Sequence, residues 1–173
     1  MQPASIAPIQ APISLLEKTP GLLELLLRDV PQELLEWQPG PERWSITQVV
    51  GHMVVIEQLY EQRARRMVID DSPALPPYVA PSESELQQTQ ARQHLEKFAA
   101  QRRAFVFYLH AIPSTAGART GRHHEMGTIT LSQMLHELAN HDLGHLRQIA
   151  ELYRAYAFYP YAGPFQRYSH PKP

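Results

Sequence analysis

The chain has 173 residues, 43% hydrophobic and 19% charged, with 16 Lys and Arg against 17 Asp and Glu for a formal charge of -1. That length fits one domain with a real hydrophobic core, and the charge balance supplies no field toward a phosphate backbone or an anionic membrane, so neither is an expected partner. The absence of cysteine excludes disulfides, thiolate ligands and a thiol nucleophile, leaving His, Asp and Glu as the strong metal donors.

Residues 1–12 lack the basic opening and apolar core of a signal peptide, and no apolar run approaches membrane-spanning length. With no disulfides to form, a soluble protein of the reducing cytoplasm is expected. Thr19 reads as the N-cap of a first helix with Pro20 at its first position, carrying Leu22, Leu23, Leu25, Leu26 and Leu27 until Pro31 interrupts. A short turn from Ile13 leads into it. After Pro39, Gly40 and Pro41, the run Trp44-Ser45-Ile46-Thr47-Gln48 offers a capping box. The second helix therefore starts at Ser45 and runs to about Ile69, with Val49, Met53, Ile56, Leu59, Tyr60 and Met67 as its inward stripe. His52 falls on the edge of that stripe.

Residues 70–82 contain Pro73, Pro76, Pro77 and Pro81, which favours an extended path. A dozen extended residues reach about 40 Å, and the second helix is about 35 Å long, so the segment suffices for a crossover that sets helices two and three parallel. A capping box at Ser82 and Glu85 opens the third helix, whose face is Leu86, Leu95, Phe98, Arg102, Phe105, Val106 and Leu109, and which ends near His110 before Pro113. Residues 114–128 read as a loop. Thr130 and Gln133 form a third capping box, and Leu131, Met134, Leu135, Leu138, Ile149 and Leu152 make one face of the fourth helix. The Pro- and aromatic-rich tail, 158–173, cannot continue that helix and is expected to lie over the bundle. The expectation is one all-α domain, a four-helix bundle with its core over about 13–156.

The chemistry sits in the fourth helix. His141 and His145 point the same way, because four helical steps overshoot one turn by only about 40°. A buried imidazole needs a partner, and one metal ion satisfies two at once. Structural or exposed histidines are the competing reading of such a pair. His52, on the inner face of another helix just after a strong cap, adds a third donor. Three histidines leave coordination positions open, as in a catalytic rather than a closed structural site.

Trp44-Ser45 and Gly51-His52 opening the second helix, with Ala139-Asn140-His141-Asp142 and His145-Leu146, Gln148-Ile149 in the fourth, resemble the DinB-like superfamily, which also contains the YfiT-type metal-dependent hydrolases. The resemblance runs from about Leu15 to Tyr156 and includes Thr128-Ile129-Thr130-Leu131. It implies a four-helix bundle of up-down-down-up connectivity with a long crossover between helices two and three. It also implies one divalent metal, zinc or nickel, carried over by position to His52, His141 and His145. Its members include thiol S-transferases for low-molecular-weight thiols, isomerases using such thiols, and proteins without an established activity, so a small-molecule substrate such as a thiol is implied.

Other polar residues have plainer readings. His136 lies about 140° around the helix from His141 and reads as a surface or supporting group rather than a ligand. His123 and His124 read as a solvated loop pair, while His94, His110 and His170 have no usable spacing. Asp142 points about 100° from His141 and reads as half of a helix-surface ion pair. Gln148 returns to the face of His141, where it either orients a ligand or packs against the second helix. Glu57 is placed outside the immediate site. Arg102 either receives a substrate carboxylate or phosphate or pairs with Glu or Asp, and Trp44 plugs the end of the bundle. Two functions stay open: a metal-dependent hydrolase or thiol transferase, and a non-catalytic, stress-associated binding or dimerisation module with a structural or vestigial metal. The Leu-rich first helix and aromatic tail suggest a homodimer.

Overall fold

The computed structural model describes residues 7–168 and 170–173, so the first six residues of the opening segment lie outside it. Six α-helices are described: α1 (Gln10–Leu27), α2 (Gln32–Glu36), α3 (Ile46–Ile69), α4 (Glu83–Gln87), α5 (Ala91–Ala111) and α6 (Leu131–Tyr153). The four long ones form the bundle, α1 and α3 each packing against both α5 and α6. Cross-contacts fix their directions. Ser132 at the start of α6 donates to Ala7 O just before α1, making α1 and α6 parallel. Arg92 at the start of α5 donates to Arg28 O just past α1, making α1 and α5 antiparallel. Gly51 abuts His94 near the starts of α3 and α5, a parallel pair, whereas His52 of α3 meets His145 late in α6. The connectivity is up-down-down-up, and residues 70–82 make the crossover.

The capping boxes set the ends where the sequence places them. Ser45 caps α3 with Gln48 answering, and Thr130 caps α6 with Gln133 answering. Two expected helix starts fail, each because a side chain from elsewhere takes a backbone carbonyl. Helix α1 starts at Gln10 and runs straight through Pro20, with Thr19 inside it rather than capping it. Pro20 lacks the N–H that would bond the Leu16 carbonyl, but that carbonyl accepts instead from Arg102 Nη1 at 3.0 Å. The capping box at Ser82 is real, yet it caps only the one-turn α4, and α5 begins separately at Ala91. The Leu86 carbonyl, which a continuous helix would give to Gln90 N–H, is bonded by His94 Nε2 at 2.9 Å.

Residues 114–128 are not all loop. They contain a hairpin of β1 (Thr120–His123) and β2 (Gly127–Thr130), antiparallel with Thr120 opposite Thr130 and His123 opposite Gly127. Gly127, at φ 71°, takes the left-handed conformation that follows a three-residue hairpin loop. The crossover joins this hairpin: Leu75 N donates to Arg122 O and Arg122 N to Pro73 O. Gly121 has to be small here, since a Cβ would stand 2.8 Å from Leu75 Cδ2 and 3.0 Å from Met67 Cγ.

The apolar core falls into two clusters along the bundle, one around Leu16, Met67, Phe105 and Leu135 and one around Leu23, Val50, Phe98 and Ile149. Between them lies a polar layer. Arg102 donates through Nε and Nη2 to Glu57 at 2.8 and 2.7 Å and through Nη1 to Asp142 at 2.6 Å. Asp142 is therefore buried in the core at 1% exposure, not paired on the helix surface, because the Arg102 guanidinium reaches across the bundle to it. Burial pushes Glu57 upward, against the pull of Arg102. Replacing Arg102 with Met strands two buried carboxylates, so urea denaturation should show a loss of about 3–5 kcal/mol. A loss below about 1 kcal/mol would mean that the layer is not holding the helices.

Candidate metal centre

Seven residues after its cap, α3 delivers His52 to the groove facing α6, and His141 and His145 meet it from consecutive turns of α6. His141 Nε2 stands 3.1 Å from His52 Nε2 and 3.1 Å from His145 Nε2. The far nitrogens of two rings are held. His145 Nδ1 pairs with Gln148 Oε1 at 2.9 Å, and His52 Nδ1 with the Tyr78 hydroxyl at 3.2 Å. A carboxamide oxygen only accepts, so His145 Nδ1 carries the proton and its Nε2 presents a lone pair. His141 Nδ1 is buried with no hydrogen-bond partner among the described residues. Trp44 lies against His52, ring centroids 5.0 Å apart.

The site favours neutral rings. Burial, followed by the charges of His145 and His141, pushes His52 down to about 3. Burial and then His145 push His141 down to about 4, with Asp142 pulling the other way and Arg102 lowering further. Burial also lowers His145, against its bond to Gln148 and the charge of Asp142.

These donors fit a divalent cation. A proton on His141 Nε2 serves one of its two neighbours but never both, whereas a cation serves three converging lone pairs. Metal–nitrogen bonds of about 2.0–2.1 Å imply nitrogen separations of roughly 2.9–3.4 Å for octahedral to tetrahedral angles, and the two observed separations of 3.1 Å lie within that range. No fourth His, Asp or Glu joins the cluster among the described residues. His52 also lines a cavity of about 760 Å³ that runs between α3 and α6 to the hairpin and is walled by Tyr78 of the crossover.

The structure thus brings together the three histidines singled out in the sequence and leaves the others apart. His136 Nδ1 bonds its own helix at Ser132 O, and His94 supports the α4–α5 break. His110 approaches Glu17 at 4.0 Å, and His170 pairs with Tyr159. His123 and His124 stack on each other and line the cavity rather than standing in solvent alone. Glu57 and Arg102 belong to the buried layer, and of the two readings of Gln148 the structure shows the one in which it orients a histidine. Sequence reasoning missed Tyr78. Its segment has no periodicity to say which residue faces the bundle, and only the Pro-rich crossover itself hinted that something on it would meet α3.

No protein of curated function matches the chain by sequence. Among solved structures the chain is similar to YfiT from Bacillus subtilis, described as a probable metal-dependent hydrolase with an unusual four-helix bundle topology. The likeness has a TM-score of 0.73 at 20% identity and covers 84% of this chain and 86% of that one. The sequence profile of the DinB superfamily matches residues 15–149, a span containing all four long helices' contacts to the polar layer and all three clustered histidines, and the chain belongs to the DinB superfamily.

Proposed function

We propose that this chain is a metal-dependent enzyme acting on a small molecule by hydrolysis or thiol transfer, with His52, His141 and His145 holding one divalent ion, zinc or nickel. The observation that carries the reading is the convergence of the three Nε2 atoms beside a cavity that His52 lines. A divalent ion so held supplies Lewis acidity, lowering the pKa of a water or thiol it binds toward neutrality. The chain's own residues do the rest. Gln148 fixes the tautomer of His145, and Tyr78 holds the His52 ring in place. Trp44 covers one face of His52, and the cavity admits the substrate beside it. Asp142, one residue from His141 and three from His145, places negative charge near both rings and so favours a cationic occupant. The description of YfiT as a probable metal-dependent hydrolase agrees with the hydrolytic form of the proposal.

A second reading, the binding or dimerisation module, draws on apolar side chains left in solvent. Leu25 is 67% exposed, Phe107 78% and Phe165 72%. The absence of a fourth protein ligand among the described residues favours the enzyme.

Untagged protein offered zinc or nickel and then dialysed should retain about one ion per chain. Changing any of the three histidines to Ala should weaken binding by at least about 100-fold, more than loss of a group that merely orients a ligand. His136→Ala should leave binding unchanged. Wild-type protein that retains neither metal would remove the proposal.

The metal-free protein should also be acid-sensitive in a defined window. His52 and His141 are lowered from 6.5 to about 3 and about 4, so between those values and 6.5 the unfolded chain binds more protons than the folded one. Stability then rises with pH across the window and is lost as pH falls from about 6.5 toward 3. Thermal melts of metal-free wild type should show that slope. In His52→Ala it should be shallower, and an equal slope in both would contradict the neutral-ring assignment.

A further inference from the structure

The cavity has a second end. On α3, Arg63 follows His52 by eleven residues, which is three turns, about 16 Å along the axis and about 20° around it, so both side chains lie on one stripe, with Ile56, Leu59 and Tyr60 between them. All five line the same cavity. Arg63 is only 4% exposed, and the ion pairs formed among the described residues do not include it. A buried guanidinium without a carboxylate is uncommon, because its desolvated charge is only partly offset, here by the Tyr60 ring 5.7 Å from Cζ. Its position is nonetheless fixed. Nε and Nη2 both donate to the Pro76 carbonyl, at 3.0 and 2.6 Å, tying α3 to the crossover. Those bonds use one edge of the planar fork and leave N–H donors at the Nη1 and Nη2 end, a geometry that matches a carboxylate with two parallel bonds. Burial lowers Arg63, and burial first and then the positive charge of Arg63 lower His123, which also lines the cavity. Glu125 and Glu137 also line the cavity and would repel a dianion more than a monoanion.

We propose that Arg63 is the carboxylate receptor of this cavity, and that the substrate is an elongated small molecule whose far end is a carboxylate. The proposal rests on the three-histidine reading only for the identity of the reacting end. Binding at Arg63 needs no metal.

Metal-free, full-length protein titrated with hexanoate and followed by amide chemical shifts should respond at Arg63 and at the cavity-lining residues of the hairpin. 1-Hexanol, hexylamine and hexyl phosphate serve as neutral, cationic and dianionic comparators and should bind at least about fivefold more weakly. Arg63→Gln should weaken hexanoate by about tenfold, the scale of a lost charge-assisted pair, and Arg63→Lys by less. If Arg63→Gln does not fold, Leu59→Trp decides, since it fills the cavity and leaves the bonds to Pro76 in place. Loss of hexanoate binding there supports the receptor, and retained binding overturns it. Shifts that map outside the cavity, equal binding of hexanol, tighter binding of hexyl phosphate, or unchanged binding in folded Arg63→Gln would each overturn it too. His136→Ala, which lies off the cavity, should bind hexanoate as wild type does. A wild type that binds metal but not hexanoate therefore sinks the receptor alone, and one that binds hexanoate but not metal sinks the metal centre alone.

Discussion

Arg102 donates to a partner on each of the other three long helices: Leu16 O on α1, Glu57 on α3 and Asp142 on α6. Three groups of this kind are costly to desolvate, and apolar packing of the same volume often stabilises a protein as well or better. What the layer contributes is register. An apolar bundle tolerates a helix sliding or turning by one contact, but a guanidinium whose donors are matched to two carboxylates and a carbonyl does not. The chain's least orthodox local choice, a proline inside α1, fits the same constraint, because it frees the carbonyl that Arg102 takes.

The histidine cluster inherits that register. Asp142 is adjacent to His141 on α6, and Glu57 lies five residues beyond His52 on α3. Holding those two carboxylates on one guanidinium thus fixes the relative rotation and height of the helices that carry the three histidines. The ring nitrogens converge on that frame, with Gln148 setting the tautomer of His145 and Tyr78 holding the ring of His52. A site assembled from two helices gains precision when the helices are locked one turn away from it.

How much of this was legible in the sequence follows from the range of each interaction. Ser45 with Gln48 and Thr130 with Gln133 satisfy orphan N–H groups within four residues, so those helix starts are visible in the residues alone. The three histidines are visible for a similar reason, since helical periodicity puts two on one face and a cap places the third. Where a distant side chain decides, local reading fails. Pro20 reads as a helix start until Arg102, 82 residues later, supplies the missing bond to Leu16. The run from Ser82 reads as one helix until His94 takes the Leu86 carbonyl. Asp142 reads as surface because nothing near it in sequence reveals Arg102. The hairpin is short, and its pairing with the crossover joins segments about fifty residues apart.

The cavity is walled by two kinds of chain. Its histidine end belongs to α3 and α6, which are held by caps and by the Arg102 layer. The crossover is tied to α3 by the Arg63 bonds to Pro76 and by Tyr78 at His52, whereas the hairpin turn at the opposite rim, residues 124–126, carries no such tie to the helices among the described residues. Evolutionary drift therefore meets unequal resistance at the two ends. Substitutions over residues 124–126 reshape the chamber without touching a partner of the histidines, whereas changes at Pro76, at Tyr78 or on the helical stripes disturb the cluster or the core. A scaffold partitioned this way lets the chamber change shape while the histidine cluster stays put, which makes the hairpin turn the natural place to remodel it.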